Sequence, residues 1–421
     1  MTHARGYLRI VIARRGWVGA VFLAALTLSP TAVTRAQDQN IWTTLEANRR
    51  VIILDGDGLR GTGGAWLIER ARGARFTLVG ESHHTVETPR LTAGLLEALR
   101  SAGYGTYVVE SGPETTRLLI AAGGTGGTDG REALLTRFPS SIAFLDRREE
   151  LQTARHALAL GYQIWGVDQE FMWSPRLLLQ QLAELAPDSV SRELVQNLFE
   201  REMAAFDRFS RTGDGSGAFL VTAKNGDFDA LAAAFGTVEE AARTIQQLRA
   251  SSEIYRAFSE GRYYDNNAMR VDLIKRNFLA HVRRAGESPV SERRALIKMG
   301  AIHAGRGRTP LHVYDLGNLA SELAFAAGGE SFHVLVLAAA DVGADGTVTS
   351  GRTQSPHLAP FFDLGADDHA VVFDLRPLRP LLAQRRPMTD LGDFEVAFRY
   401  DAIVLFPQFH ASKPIAPNAG K

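Results

Sequence analysis

The chain has 421 residues, 45% of them hydrophobic, which is apolar content enough for one large domain or two ordinary ones. It contains no cysteine, which excludes disulfides, thiolate metal sites, a lipid-bearing cysteine and a cysteine nucleophile. The 47 basic and 47 acidic residues balance, but the first 36 residues hold five arginines and no acid; without them the chain is slightly acidic, which argues against nucleic acid as a partner.

Arg14 and Arg15 stand directly ahead of the apolar run GWVGAVFLAALTLSPTAV, with a small-residue exit at Thr34 to Ala36. This reads as a secretory signal cut after Ala36, so secretion or export to a periplasm is expected, and the arginine pair admits a twin-arginine route. The apolar core is short and interrupted by Pro30, which favours cleavage over a retained anchor. No later segment is apolar enough to span a bilayer, so no membrane partner is expected after cleavage. Residues 37–75 read as an N-terminal extension, an exposed entry helix followed by VIILDGDGLRGTGGAWLIE as a hairpin or a strand and loop. Gly56, Gly58 and Gly61 match a dinucleotide-type glycine pattern. Gly63 and Gly64 follow at once, however, and no helix is expected to open there, so a glycine-rich turn is the reading.

From Phe76 strands and helices alternate. FTLVG ends at Gly80; Thr88 can cap a helix with Pro89 in its first turn, Leu91, Leu95, Leu96 and Leu99 on one face, and Gly103 as its stop. TYVVE ends at Glu110. After a glycine-rich loop near 123–130, a charged amphipathic helix from about Arg147 to Leu160 leads into YQIWGVD, ending at Asp168. Residues 174–285 break this rhythm with almost wholly helical patterning, and read as a helical insertion or cap. The alternation resumes with ALIKMGAIHAGRG, a strand ending near His303, then a helix over 317–327 and a strand over 333–341. Within 346–421, AVVFDL and AIVLF supply late strands that complete the core at an edge of the sheet. The fold class expected is α/β, a mainly parallel central sheet flanked by helices, with a core over 76–345 that contains the cap.

Parallel strands bring their carboxyl ends to one edge of a sheet, where ligands bind. One strand delivers Glu81, His83 and His84 to that edge; others deliver Glu110, Asp168 and His303. Any one of these acids alone would read as a helix cap or a solvated loop residue, and it is their coincidence that points to a site.

The runs LVGESHHTVE, VVE at 108–110, GVD at 166–168 and IKMGAIHA at 297–304 resemble the successive motifs of the erythromycin esterase-like superfamily, a group that also takes in ChaN-like haem-binding and Tiki-type metalloprotease proteins. The resemblance covers about 76 to 345, with YDAIVLF at 400–406 similar to the last strand, and leaves the helical insertion largely unmatched. The esterase pattern is Gly-Glu, two small residues, His, then Gly-Thr-x-Glu. Here one residue is missing: Gly80, Glu81, His83, Thr85 and Glu87 fall into place, and His84 stands where glycine is usual. Arg270 and Asn277 have the spacing of the superfamily's Arg and Asn on a helix, with Val271 in place of the acid that normally follows.

The resemblance implies a hydrolase that cleaves an ester, lactone or amide in a small-molecule substrate, and the leader read above implies that it is exported. An imidazole with a pKa near 6.5 can take a proton from water at neutral pH, and a neighbouring carboxylate orients the ring and stabilises the imidazolium. His83 is expected as general base with Glu81 or Glu110 as its partner, and His303 or Arg270 as oxyanion stabiliser or acid. His84, Asp168 and Asn277 are expected to bind or orient substrate. Glu81, His83, Glu110 and His303 could instead hold a divalent metal, Zn²⁺ or Mn²⁺, as a Tiki-type peptidase would require. A ChaN-like haem or iron site could draw on Tyr263, Tyr264, Met269 and His281. Serine catalysis has less material: Ser82 is well placed and Ser216 lies in DGSGA, but no GxSxG elbow exists.

Overall fold

The computed structural model describes residues 40–56, 58–124, 130–284, 294–365, 368–383 and 395–416; the expected signal at 1–36 lies outside the described residues. Ten strands form one mixed sheet: β1 (Arg49–Asp55), β2 (Gly58–Arg60), β3 (Phe76–Glu81), β4 (Tyr104–Val109), β5 (Gln163–Gly166), β6 (Arg294–Gly300), β7 (Ser331–Val342), β8 (Val348–Ser350), β9 (Ala370–Asp374) and β10 (Ala402–His410). Their spatial order is β2-β1-β9-β10-β7-β3-β6-β4-β5, with β8 paired to β7. The run from β10 to β5 is parallel throughout, whereas β9, β1, β2 and β8 pair antiparallel. Every residue of β3 is buried, as expected of a central strand with helices on both faces, and this explains its unbroken apolar run.

Alternation along the strands feeds two cores. Val79, Tyr107, Leu296 and Val404 point to one face, against Leu91, Leu95 and Leu99 of the Glu87–Arg100 helix and Leu151 of the Arg148–Ala159 helix. Leu78, Val108, Ile297 and Ile403 point to the other, against Phe278, Leu316 and Phe361. Between β5 and β6 six helices run from Pro175 to Arg284, and Leu178, Val195, Phe228 and Leu248 give them a third core of their own. The last of them, Tyr263–Arg284, lays Phe278 edge-on to Phe76 and Trp165, which brings its N-terminal half over the ends of the strands.

Three local expectations are corrected. The glycine-rich stretch opens a helix at once, Gly61–Gly73, packed on the β1–β2 hairpin. A β-carbon at Gly61 (φ 78°) would lie 2.6 Å from the Val51 carbonyl oxygen, and one at Gly63 would lie 2.8 Å from the Ile52 side chain, so these glycines permit close helix-to-strand approach. The helix expected to start at Thr88 starts at Glu87 with no side-chain cap; Thr88 is buried and its hydroxyl accepts a hydrogen bond from Thr85. The late strands are internal. Eight residue pairs lock β10 to β7, and β1 extends the sheet beyond β9, so the edge is formed by the N-terminal hairpin.

Candidate active site

Parallel register aligns the strand ends: Glu81 pairs with Gly300, and Val109 with both Lys298 and Gly166. Glu81 is the last residue of β3 and His83 follows two residues on; Glu110 follows β4 directly; Asp168 lies two residues beyond β5. His303 sits on a one-turn helix, Ala301–Ala304, that folds back after β6. Arg270 reaches the same place from the cap.

Glu110 is the centre of the arrangement. Its Oε2 accepts from the Gly300 backbone N–H (2.5 Å) and lies 3.6 Å from Nε2 of His83. Its Oε1 accepts from Arg270 Nη2 (2.8 Å) and lies 3.4 Å from Nε2 of His303. The far nitrogen of each imidazole has its own buried carboxylate: His83 Nδ1 is 3.0 Å from Glu81 Oε1, and His303 Nδ1 is 2.6 Å from Asp315 Oδ2. These bonds place a proton on Nδ1 of each ring, and each Nε2 faces the Glu110 carboxylate, free in the neutral ring and carrying the second proton in the imidazolium.

Arg270 forms a two-pronged pair with Asp168, Nε to Oδ1 at 3.0 Å and Nη2 to Oδ2 at 2.5 Å. Asp168 thereby positions the guanidinium. The charges set the proton affinities. Burial opposes ionisation of Glu110, but His303, His83, Arg270 and the Gly300 N–H outweigh it and lower its pKa to about 2. Burial also works against a charged His83, yet the Glu81 bond and the charges of Glu110 and Glu81 raise it above 6.5. His303 is raised in the same way, against burial, by Glu110 and Asp315.

Five further residues complete the cluster without having been singled out from the sequence. Lys298 is buried in β6, and its ammonium donates to Glu81 Oε1 (2.5 Å) and Glu150 Oε1 (2.6 Å). Glu150 comes from the Arg148–Ala159 helix. Asp315 caps the helix Leu316–Ala326 as well as holding His303. Phe144, at φ 61°, stacks on the His83 ring at 3.9 Å and 13°. Gly300 leaves room for His83, since a β-carbon there would lie 2.8 Å from Nε2. A lone lysine in the apolar strand ALIKMG is the one signal that reading the sequence could have used, because a buried ammonium demands carboxylates.

The remaining expected residues fall elsewhere. His84 is exposed, 6.3 Å ring to ring from His83, and adopts φ 64°. It therefore has the left-handed backbone for which glycine is the usual residue at this motif position. Asn277 is buried, and both ends of its amide are engaged: Nδ2 donates to the carbonyls of Val167 (3.1 Å) and Asp168 (3.3 Å), and Oδ1 accepts from Gln247. It braces the exit of β5 and does not present its amide to a ligand. Ser82 and Ser216 are both exposed, Ser216 on a cap turn.

A divalent metal does not fit this donor set. Among the described residues no three His, Asp or Glu side chains are placed to hold one. Glu81 Oε1 and both Glu110 oxygens already accept from Lys298, Arg270 and the Gly300 N–H, which leaves Glu81 Oε2 as the one unpartnered oxygen of these two carboxylates, and a buried ammonium and a half-buried guanidinium occupy the positions a dication would need to neutralise. The haem candidates do not converge. Tyr263 and Tyr264 are exposed at one end of a helix, and His281 lies 18 residues along it, about 27 Å away. There its Nε2–H donates to the Gly166 carbonyl (3.0 Å) and its ring stacks on Trp165.

No protein-family model matches the sequence, and no curated protein does. Solved structures do. Erythromycin esterase EreC, a mutant in its open conformation, matches with a TM-score of 0.56 at 14% identity, covering 87% of this chain and 99% of that one. A succinoglycan biosynthesis protein matches with 0.56 at 12% identity, covering 89% and 98%. A Bacillus cereus protein matches with 0.53 at 13% identity, covering 90% and 99%. Near-complete coverage of all three at such low identity shows a shared overall fold. In fold, the chain is similar to erythromycin esterase EreC and to the two other solved structures.

Proposed function

We propose that the chain is a hydrolase that activates water with His83 to cleave an ester or lactone in a small-molecule substrate. The observation that carries this reading is the pair of carboxylate-held imidazoles, Glu81–His83 and Asp315–His303, each turning its Nε2 toward Glu110. The esterase named among the structures of the same fold is consistent with it.

In this mechanism Nε2 of His83 takes a proton from water, and the resulting hydroxide attacks the carbonyl carbon. The negative charge that develops on the carbonyl oxygen is met by the Arg270 guanidinium, already oriented by Asp168. His303, whose pKa Glu110 and Asp315 raise against its burial, acts in its imidazolium form and gives its Nε2 proton to the departing alkoxide, so an acid and an alcohol leave. Glu110 stays ionised and stabilises whichever imidazole carries charge. Because His83 works only as the free base and its pKa is raised, the rate climbs with pH on the alkaline side of 6.5 and falls again as His303 loses its proton. We also propose export through the leader at 1–36.

The test is turnover of a panel of esters and lactones by the wild type and by His83→Ala. The expected loss is about 10²–10⁴-fold, the usual size of a general-base contribution. Equal turnover by both proteins removes His83 as the base.

A further inference from the structure

Beneath His83 lies an ionic arrangement that the hydrolytic mechanism does not require as such. Lys298 sits in the middle of a strand, side chain 4% exposed, between two carboxylates that are equally buried. Glu81 Oε1 receives both the lysine and His83 Nδ1, so one oxygen carries the ammonium and the imidazole together. Glu81 Oε2 is buried with no hydrogen-bond partner, and Glu81, Glu110, Ser111, Glu150 and Lys298 are among the residues that line a cavity of about 10 Å³, room for about one water molecule. The other ionisable group against the lysine is Tyr107 of β4, whose hydroxyl is kept neutral by burial.

Burying three charges is costly, and an apolar trio of equal volume packs at least as well, so core packing alone gives no reason for the set. Charge balance does. A lysine bonded to Glu81 alone cancels the negative charge that His83 needs beside it. With Glu150 ionised on the lysine's other side, the three groups together carry one negative charge, and the imidazole sees an anion.

We propose that Lys298 and Glu150 are positioning residues that tune the His83 imidazole: Lys298 fixes Glu81 under Nδ1, and Glu150 offsets the lysine's charge so that Glu81 still acts as an anion. The proposal rests on the reading of His83 as the general base. Burial, opposed by Lys298, pushes Glu150 up to about 7, and His83 is raised as well; the two groups are joined through the Glu81–Lys298 pair, so the ionisation of each acts on the other. The ionisable groups around His83 are Glu81 from β3 and His84 just after it, Glu110 after β4, Glu150 from its helix and Lys298 from β6, with His303 and Arg270 across Glu110.

The experiment is histidine NMR on ¹³C,¹⁵N-histidine-labelled full chain, with the His83 signals assigned by their loss in His83→Gln. It needs no substrate, so it separates this proposal from the hydrolase reading. Glu150→Gln is expected to lower the His83 pKa by about one unit, because the triad loses its net negative charge. The double variant Lys298→Met with Glu150→Gln is expected to return it to the wild-type value or higher, because Glu81 is then an uncancelled anion. A purely structural ion pair predicts no such reversal. The wild type alone supplies a second readout should a variant fail to fold: its His83 titration is expected in two coupled steps. Equal His83 pKa values in all three proteins, or a single uncoupled step in the wild type, overturn the proposal. Shifts of the expected sign in a protein that hydrolyses no ester uphold the charge balance and remove the hydrolase.

Discussion

Gly300→Ala separates catalytic geometry from folding. The Gly300 backbone, φ −50° and ψ 143°, is one that alanine adopts without strain. The added methyl would stand 2.8 Å from His83 Nε2 and 3.4 Å from Glu110 Oε2. Ordinary contact is about 3.5 Å, so Nε2 must recede by roughly 0.7 Å. The ring is the free end of a side chain and 27% exposed, so it can move at little cost to folding. The movement disturbs the Glu81 bond and the aim at a bound water, and a misplacement of about 1 Å costs roughly 10² in rate. We expect kcat on a competent ester to fall about 10- to 100-fold, which is about 1.4–2.7 kcal/mol of barrier. Melting temperature is expected to hold within a few degrees. Gly105→Ala on β4, where a β-carbon meets nothing within 4 Å, is the control and should change neither quantity. Steady-state kinetics and calorimetry on the three proteins decide the matter. Full activity in a folded Gly300→Ala protein refutes the placement of the reacting centre at His83 Nε2.

Acid unfolding tests Glu110. Its folded pKa of about 2 lies below the ordinary 4.5, so its contribution, on the order of 3 kcal/mol, is present above pH 4.5 and lost as the pH falls toward 2. Chemical denaturation at intervals across that window should show a steeper loss for wild type than for Glu110→Gln, and parallel curves contradict the charge assignment. Asn277→Ala should cost about 1–3 kcal/mol of stability by leaving the Val167 and Asp168 carbonyls unpaired, with KM unchanged. A raised KM with intact stability returns Asn277 to substrate binding. Dialysis against a chelator should leave turnover unaltered, and activity lost on chelation and restored by Mn²⁺ or Zn²⁺ counts against the metal-free site.

Much of the framework was legible in the residues themselves. FTLVGE, TYVV and ALIKMG are apolar runs too short for helices, and the leucine spacing between the first two marks a helix, so the parallel α/β plan follows from local patterning. Because such a sheet sends its strand ends to one edge, Glu81, Glu110, Asp168 and His303 could be grouped before any coordinates were known. Local patterning also misled: the glycines at 56–64 read as a turn because glycine disfavours helix, and the need for a helix to lie close on the hairpin overrode that preference.

The chain alone could name the acids and imidazoles, but not their partners. Lys298 and Gly300 lie in a run that reads as a strand and Glu150 in one that reads as a charged amphipathic helix, while nothing in the local pattern singles out Asp315 or Phe144. Each acquires its role only when elements distant in the chain are stacked: β6 beside β3 puts the lysine under Glu81, and the Arg148–Ala159 helix supplies its second carboxylate. Asn277 shows the reverse, a polar residue with suggestive spacing whose amide the exit of β5 consumes. Sequence period tells which side of its own strand or helix a residue faces. What it touches, and so its charge and proton affinity, depends on which other element is packed there, and only the tertiary structure decides that.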